Sequence, residues 1–298
     1  MIVRTAAVAW KLRSIRGDSG YFGHLHDLIS AAHGEGAELV VLPELHCLEL
    51  LHLEPNLAEH LAPIYLAQYA EAIEAWMTRI ANSSGLTIVS GSHFCERGGA
   101  IYNVGTIARP GHAAVNYQKN NLTRYEREVW KIADGAGLAA TEPALGVTVC
   151  YDVEFPNAAR NLAEAGVKIL AVPSWTETQR GHQRVRWTAL ARAVENQIFV
   201  VQSPLLGGIG REPVPMSYGS AAIIAPSVEP FPTDAILRET PLNEEGVIVA
   251  DLNLDDLSRS RGFGEVTNWR DRNSGDWTVT FTADASETIP DNADGGLN

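Results

Sequence analysis

The chain has 298 residues, 45% of them hydrophobic and 20% charged, which suits one large α/β domain or two small ones with ample core. Asp plus Glu is 36 and Lys plus Arg is 23, a formal charge of −13, which argues against a nucleic-acid-binding surface and against attraction to anionic membranes. No run approaches the ~18 apolar residues of a membrane-spanning helix, and the three cysteines, Cys47, Cys95 and Cys150, form no CxxC pair.

Taken in order, Ile2 to Ala9 reads as a first strand, too soon followed by Lys11 and Arg13 to be a signal peptide. A reducing cytoplasm is therefore the expected location, with Cys47 and Cys95 as structural thiols. Phe22 to His33 carries Leu25, Leu28, Ile29 and Ala32 at helical spacing. Leu39 to Leu42 is a short buried strand ended by Pro43-Glu44. Leu57 to Ala81 is helical with a break or restart near Pro63. Thr87 to Gly91 is another strand. Ile101 to Ala108 and Ala113 to Gln118 flank Arg109-Pro110-Gly111-His112, a turn signature, and predict a hairpin. Gly146 to Cys150, Lys168 to Val172 and Ile198 to Gln202 are further strands, separated by helices from about Phe155 and about Gly181. Tyr218 to Ala225 and Gly246 to Leu252 close the regular part. Strands alternating with helices imply parallel pairing, and the hairpin adds antiparallel strands, so the fold class is α/β with mixed sheets and outer helices. The stretch Ala283 to Asn298 is acidic, carries Gly295-Gly296 and has little to bury, which predicts a loose tail or a docking arm.

Three strand ends carry chemistry. Glu44 follows an apolar strand, where a core has no use for a charge. Lys119 ends the strand Ala113 to Gln118, and Cys150 ends a third at the mouth of a helix. Each alone reads more readily as a strand-end charge or a buried structural thiol. Together, although 75 and 31 residues separate them, they can meet in one crevice. A free thiol is only a few per cent thiolate at neutral pH, so it needs a base or a cation. A helix N-terminus and Lys119 would favour the thiolate, and a partly desolvated Glu44 could take the proton. Trp175 and Thr176 follow the strand after Cys150 and are expected to face the crevice, a core Trp being the alternative.

The ordered set Leu42-Pro43-Glu44, Tyr117-Gln118-Lys119, Tyr125-Glu126-Arg127 with Trp130, and Cys150-Tyr151-Asp152-Val153-Glu154-Phe155-Pro156 resembles the nitrilase, or carbon–nitrogen hydrolase, superfamily. Val172-Pro173-Ser174-Trp175-Thr176, Arg184-Val185-Arg186, Ala191 to Gln197 and Asn268 to Arg272 continue the likeness. The resemblance implies a single domain over 1–275, with 276–298 as a flexible or dimer-docking extension. It also implies an α-β-β-α sandwich whose dimers pack sandwich on sandwich into a four-layer arrangement, as a homodimer or higher homo-oligomer. By the same resemblance Glu44 is the general base, Lys119 the catalytic lysine, Cys150 the nucleophile and Glu126 the second glutamate, preferred over Glu128 two residues on. Tyr151 would touch substrate through its backbone N–H, beside Trp175 and Thr176. No metal or organic cofactor is implied.

Tyr151-Asp152 after the cysteine resembles the amidase-type branches, whereas nitrilases usually carry Trp-Glu there. Amide hydrolysis is the reading, with nitrile or N-carbamoyl substrates and a catalytically silent scaffold as alternatives. Two positions depart from the family pattern. Lys119-Asn120-Asn121-Leu122 stands where Lys-x-His-Leu is usual, and Trp10 stands near an expected Gln. His182 reads as a surface histidine at a helix N-terminus, and Arg192 with Glu195 as a structural pair. His24-x-His26 has no zinc-site spacing. Gly207-Gly208-Ile209-Gly210 lacks the dinucleotide-binding form and reads as a loop.

Overall fold

The computed structural model describes residues 1–142 and 144–272; the stretch read as a loose tail lies outside the described residues. In chain order the elements are β1 (Ile2–Lys11), α1 (Asp18–Gly34), β2 (Leu39–Val41), α2 (Ala62–Ala67), α3 (Ala70–Ser84), β3 (Thr87–Val89), β4 (His93–Arg97), β5 (Ala100–Ala108) and β6 (Val115–Gln118). They continue with β7 (Ala140–Thr141), β8 (Leu145–Val147), α4 (Pro156–Glu164), β9 (Ile169–Trp175), α5 (Gln179–Asn196), β10 (Phe199–Leu206), β11 (Ala222–Ile224), β12 (Ile236–Glu239), β13 (Gly246–Asn253), α6 (Leu254–Phe263) and α7 (Asn268–Asp271).

Two mixed sheets face each other. In the first, β1, β2 and β3 are parallel, β13 flanks β1 antiparallel, and β5 joins β3 to β4 and β6. In the second, β8, β9 and β10 are parallel, and β11, β12 and β7 are antiparallel additions. The end of β1 pairs with β10 at Trp10↔Leu205 and Lys11↔Leu206, so the two sheets are one sheet curled on itself.

The alternation of β1 shows why helices cover both outsides. Ala6, Val8 and Trp10 share a core with Leu25 of α1 and with Ile73 and Met77 of α3. Ala7 and Ala9, on the other side of the strand, share a core with Val147 and Val200 of the second sheet. Ala159 and Leu162 of α4 and Val185 and Ala189 of α5 pack on the second sheet's outside. The result is the α-β-β-α sandwich that the sequence implied.

Several boundaries differ from the sequence reading. A helix does restart at Pro63, which sits in the first turn of α2, where its missing N–H removes no hydrogen bond; a second interruption, between Ala67 and Ala70, was not expected. The regular part does not end at Leu252. Asn253 accepts from Asp255 N at 3.1 Å and caps α6, a signal present in Asn253-Leu254-Asp255-Asp256. β4 and β12 were also unread; each borders a stronger strand whose pairing, not its own pattern, defines it.

One glycine fixes how β2 leaves the sheet. Gly91 follows β3 at φ +69°, and a Cβ there would overlap the Pro43 carbonyl. Gly105 lies against Gly91 in turn, and Tyr117 Oη donates to Gly91 O. The close approach of these backbones sets the path of Pro43-Glu44. Gly91→Ala should therefore cost on the order of 3 kcal/mol or more. Gly98→Ala, at φ +59° in open space, should cost about 1 kcal/mol. Urea denaturation of the two variants checks the contrast.

Candidate active site

Glu44 stands three residues beyond β2 in a backbone held on every side. Ser92 N donates to Pro43 O at 3.2 Å, and Leu45, at φ 50°, donates its N–H to Ser92 Oγ at 3.1 Å. His46 is fixed between Tyr21 Oη and Ser90 O, 2.8 Å from each. The Glu44 side chain is 1% exposed.

Lys119 follows β6 and reaches across to it. Lys119 Nζ donates to Glu44 Oε1 and to both carboxylate oxygens of Glu126, each at 2.8 Å. Asn103 Nδ2 donates to Glu44 Oε1 at 3.0 Å and lies 3.4 Å from Glu126 Oε1. Glu126 opens a π-helical turn, Glu126–Trp130, and its Oε2 accepts from Thr123 N at 2.7 Å and Thr123 Oγ1 at 2.9 Å. Glu126, not Glu128, is thus the buried partner; Glu128 is exposed and pairs with Arg124 one turn away. Burial opposes charge on Lys119, but Glu126 and Glu44 outweigh it and raise its pKa, so the ammonium is fixed.

Cys150 comes from the opposite sheet. It is the first residue of a 3-10 turn, Cys150–Glu154, and holds φ 47°, a left-handed conformation uncommon outside glycine. Its Sγ donates to Trp175 O at 3.3 Å. The expectation of a stabilised thiolate is corrected here. Burial, then the Glu44 carboxylate, raise the thiol pKa well above its ordinary value, and Lys119 only partly opposes them. The reason is that Lys119 is already shared by two carboxylates. Burial likewise raises Glu44, against the pull of Lys119. The resting state is a protonated thiol beside a carboxylate whose proton affinity is above normal.

Glu44, Lys119, Glu126 and Cys150 line one cavity of about 230 Å³. Tyr151, Trp175 and Thr176 line it too, as the sequence placed them. Trp175 is held by a 2.8 Å bond from Nε1 to Ser217 Oγ and by stacking on Trp130. Thr176 Oγ1 donates to Tyr218 O at 2.8 Å. The titratable wall residues without a role in the sequence reading are Tyr125, Glu154, Glu177 and Arg184. Three of them lie inside the quoted motifs, and Glu177 is two residues past Trp175 on the same strand exit. Arg192 does pair with Glu195, and it also donates to Val153 O at 2.9 Å and Glu154 O at 3.1 Å, bracing the Cys150 turn from α5. His182 is not a surface residue. It is 4% exposed against Tyr218 and Ser220, and burial brings its pKa down to about 4.

The sequence matches carbon–nitrogen hydrolase over residues 7–261. The chain belongs to that family. A Bacillus subtilis protein named a probable hydrolase is 31% identical over 274 residues, which is 91% of this chain and 53% of that one, so the chain spans about half of that relative's length. An omega-amidase of Danio rerio is 26% identical over 90% of this chain and 94% of its own. The crystal structure of a branch-10 nitrilase-superfamily member from Saccharomyces cerevisiae superposes with a TM-score of 0.71 at 21% identity, covering 88% of this chain and 93% of that one, a likeness of fold.

This carbon–nitrogen hydrolase accommodates its two departures through hydrogen bonds. Trp10 is fully buried and donates Nε1 to Glu49 Oε2 at 2.9 Å, in a cluster where His24 lies 3.0 Å from both Glu49 and Glu245. Asn121 donates Nδ2 to Asp152 Oδ1 at 2.9 Å. Asp152 also accepts from Asn121 N at 2.7 Å, Asn120 N at 3.2 Å and Val149 N at 3.3 Å. A single carboxylate therefore ties the loop after Lys119 to the turn that carries Cys150. Among the described residues no group of three or more His, Cys, Asp or Glu is arranged to hold a metal. Asp152→Ala, which orphans three backbone donors, should lower stability by about 3 kcal/mol, and Asn121→Ala by about 1 kcal/mol. Chemical denaturation of both variants measures the difference.

Proposed function

We propose that this carbon–nitrogen hydrolase cleaves an amide to a carboxylic acid and ammonia through a thioester on Cys150. The observation that carries the reading is the convergence of Glu44, Lys119 and Cys150, from two sheets, on the floor of one cavity. Amidase-type relatives support the choice of an amide over a nitrile.

Glu44 takes the thiol proton as Cys150 Sγ attacks the amide carbon, forming the C–S bond and an oxyanion. The raised proton affinities of the two groups favour this concerted transfer over a standing thiolate. Lys119 and the Tyr151 N–H stabilise the oxyanion. As the intermediate collapses, Glu44 returns the proton to nitrogen, the C–N bond breaks and ammonia leaves. A water then gives its proton to Glu44 and attacks the thioester. Collapse of the second oxyanion expels the sulfur, which recovers the proton, and the acid departs. Glu126 positions Lys119 and keeps it charged throughout.

Ammonia release tests the reading across short aliphatic amides, dicarboxylic ω-amides, N-carbamoyl amino acids and matching nitriles. Ammonia from amides, absent in Cys150→Ala, is the expected result, and Glu44→Gln should lose roughly 10² to 10⁴-fold in rate. Ammonia from nitriles alone would replace the reading with nitrile hydrolysis.

The pH profile follows from Glu44. Its folded pKa is raised above the ordinary 4.5, and the protonated carboxyl cannot accept the thiol proton. Activity should be present above that raised value and lost as pH falls through it. The acid limb of kcat/KM should therefore lie above pH 4.5. A limb at or below the ordinary glutamate value would contradict the assignment of Glu44.

A further inference from the structure

We propose that the substrate carries a positive charge on the end remote from the scissile amide, and that Glu177 is the residue that reads it. This rests on the amidase reading for the scissile group, while its evidence lies in the outer half of the cavity. Four carboxylates line the cavity against two cations, Lys119 and Arg184. Glu44 and Glu126 share Lys119 at 2.8 Å, and Arg184 lies 3.5 Å from Glu154. Glu177 is left over. Burial and the neighbouring Glu212 carboxylate both raise its pKa, and no cation or hydrogen-bond donor among the described residues acts against them. At the floor of the same cavity, Glu44 Oε2 is buried without a hydrogen-bond partner. Glu177, at the solvent-exposed mouth, is therefore the carboxylate of this lining without a cation partner among the described residues.

The walls have the matching chemistry. Tyr125 and Trp175 both line the cavity, and both lean on Trp130, Tyr125 edge-on at 5.1 Å and Trp175 stacked at 5.6 Å. Their polar atoms are already used: Tyr125 Oη donates to Glu59 at 2.8 Å, and Trp175 Nε1 to Ser217 at 2.8 Å. What they offer a ligand is ring surface, whose negative face attracts cations. Glu59, Glu212 and Glu177 together act on the Tyr125 phenol, so the rim beside these rings is acidic. Glu212 is carried by a loop that Arg211 pins, donating to Glu54 O at 2.8 Å and Leu51 O at 3.1 Å, which directs that guanidinium to backbone carbonyls. Rigid aromatic faces beside an unpaired carboxylate suit an alkylammonium and disfavour a carboxylate. Of the two cations in the lining, Lys119 is held by Glu44 and Glu126, and Arg184 lies 3.5 Å from Glu154. The substrate class is a short amide with a terminal ammonium.

Calorimetry on the Cys150→Ala protein tests this without turnover, using 5-aminopentanamide, hexanamide and the monoamide of glutaric acid. The ammonium compound should bind about tenfold or more tightly than hexanamide, and the carboxylate should bind most weakly. Glu177→Gln on the same background should remove that preference. Equal or tighter binding of the carboxylate, a preference that survives Glu177→Gln, or no binding of any of the three would each overturn the proposal. Ammonia release by the wild-type protein with the same compounds separates the two readings. A charge preference in calorimetry without any ammonia release would sink the amidase reading and leave the charge reading standing.

Discussion

The structure is organised by one buried ammonium. Lys119 lies between Glu44 and Glu126, out of contact with bulk water, and none of the three could be buried alone at tolerable cost. Their sharing decides the rest of the chemistry. Because two carboxylates hold Lys119, little of its field is left to draw the proton from Cys150. The upward shifts of Cys150 and Glu44 both favour a neutral thiol beside a carboxylate of raised proton affinity over a standing thiolate.

Rigidity around that ion cluster is supplied by backbone rather than by bulk. Gly91 and Gly105 let three strand ends approach where a side chain would keep them apart. Asp152 gathers backbone donors from the loop after Lys119 and from the approach to Cys150. Arg192 braces the Cys150 turn from α5. Cys150 keeps a left-handed backbone that costs of order 1–3 kcal/mol, and these neighbours hold it there. The site needs two sheets to meet, and the β1–β10 pairing at Trp10 and Lys11 is what joins them.

Much of this was legible in the sequence because strand ends announce themselves. A charge or a thiol directly after an apolar run is ambiguous alone, but Glu44, Lys119 and Cys150 taken together point to one crevice. The preference for Glu126 comes from the resemblance, in Tyr125-Glu126-Arg127 followed by Trp130; that the hydroxyl and backbone N–H of Thr123 hold its carboxylate is visible only in the fold. Other features were hidden for physical reasons. The burial of His182 depends on Tyr218 and Ser220, from the segment before β11, packing against α5, a long-range contact that local pattern does not encode. The raised thiol pKa comes from burial and then from the Glu44 carboxylate, with Lys119 only partly opposing, and all three depend on the two sheets meeting. Asp152 looks like an ordinary turn residue until the Lys119 loop is folded against it, and only then does Asn121 have a carboxylate to bond.

The central claim is that an acyl group passes through Cys150. Mixing the protein with a hydrolysed amide, quenching in acid within one turnover and mapping peptides by mass spectrometry tests it most directly. The account predicts an acyl adduct on the peptide bearing Cys150, appearing with the first equivalent of ammonia and decaying as acid forms. Ammonia release at an undiminished rate from Cys150→Ala, or an adduct confined to Cys47 or Cys95, would contradict it.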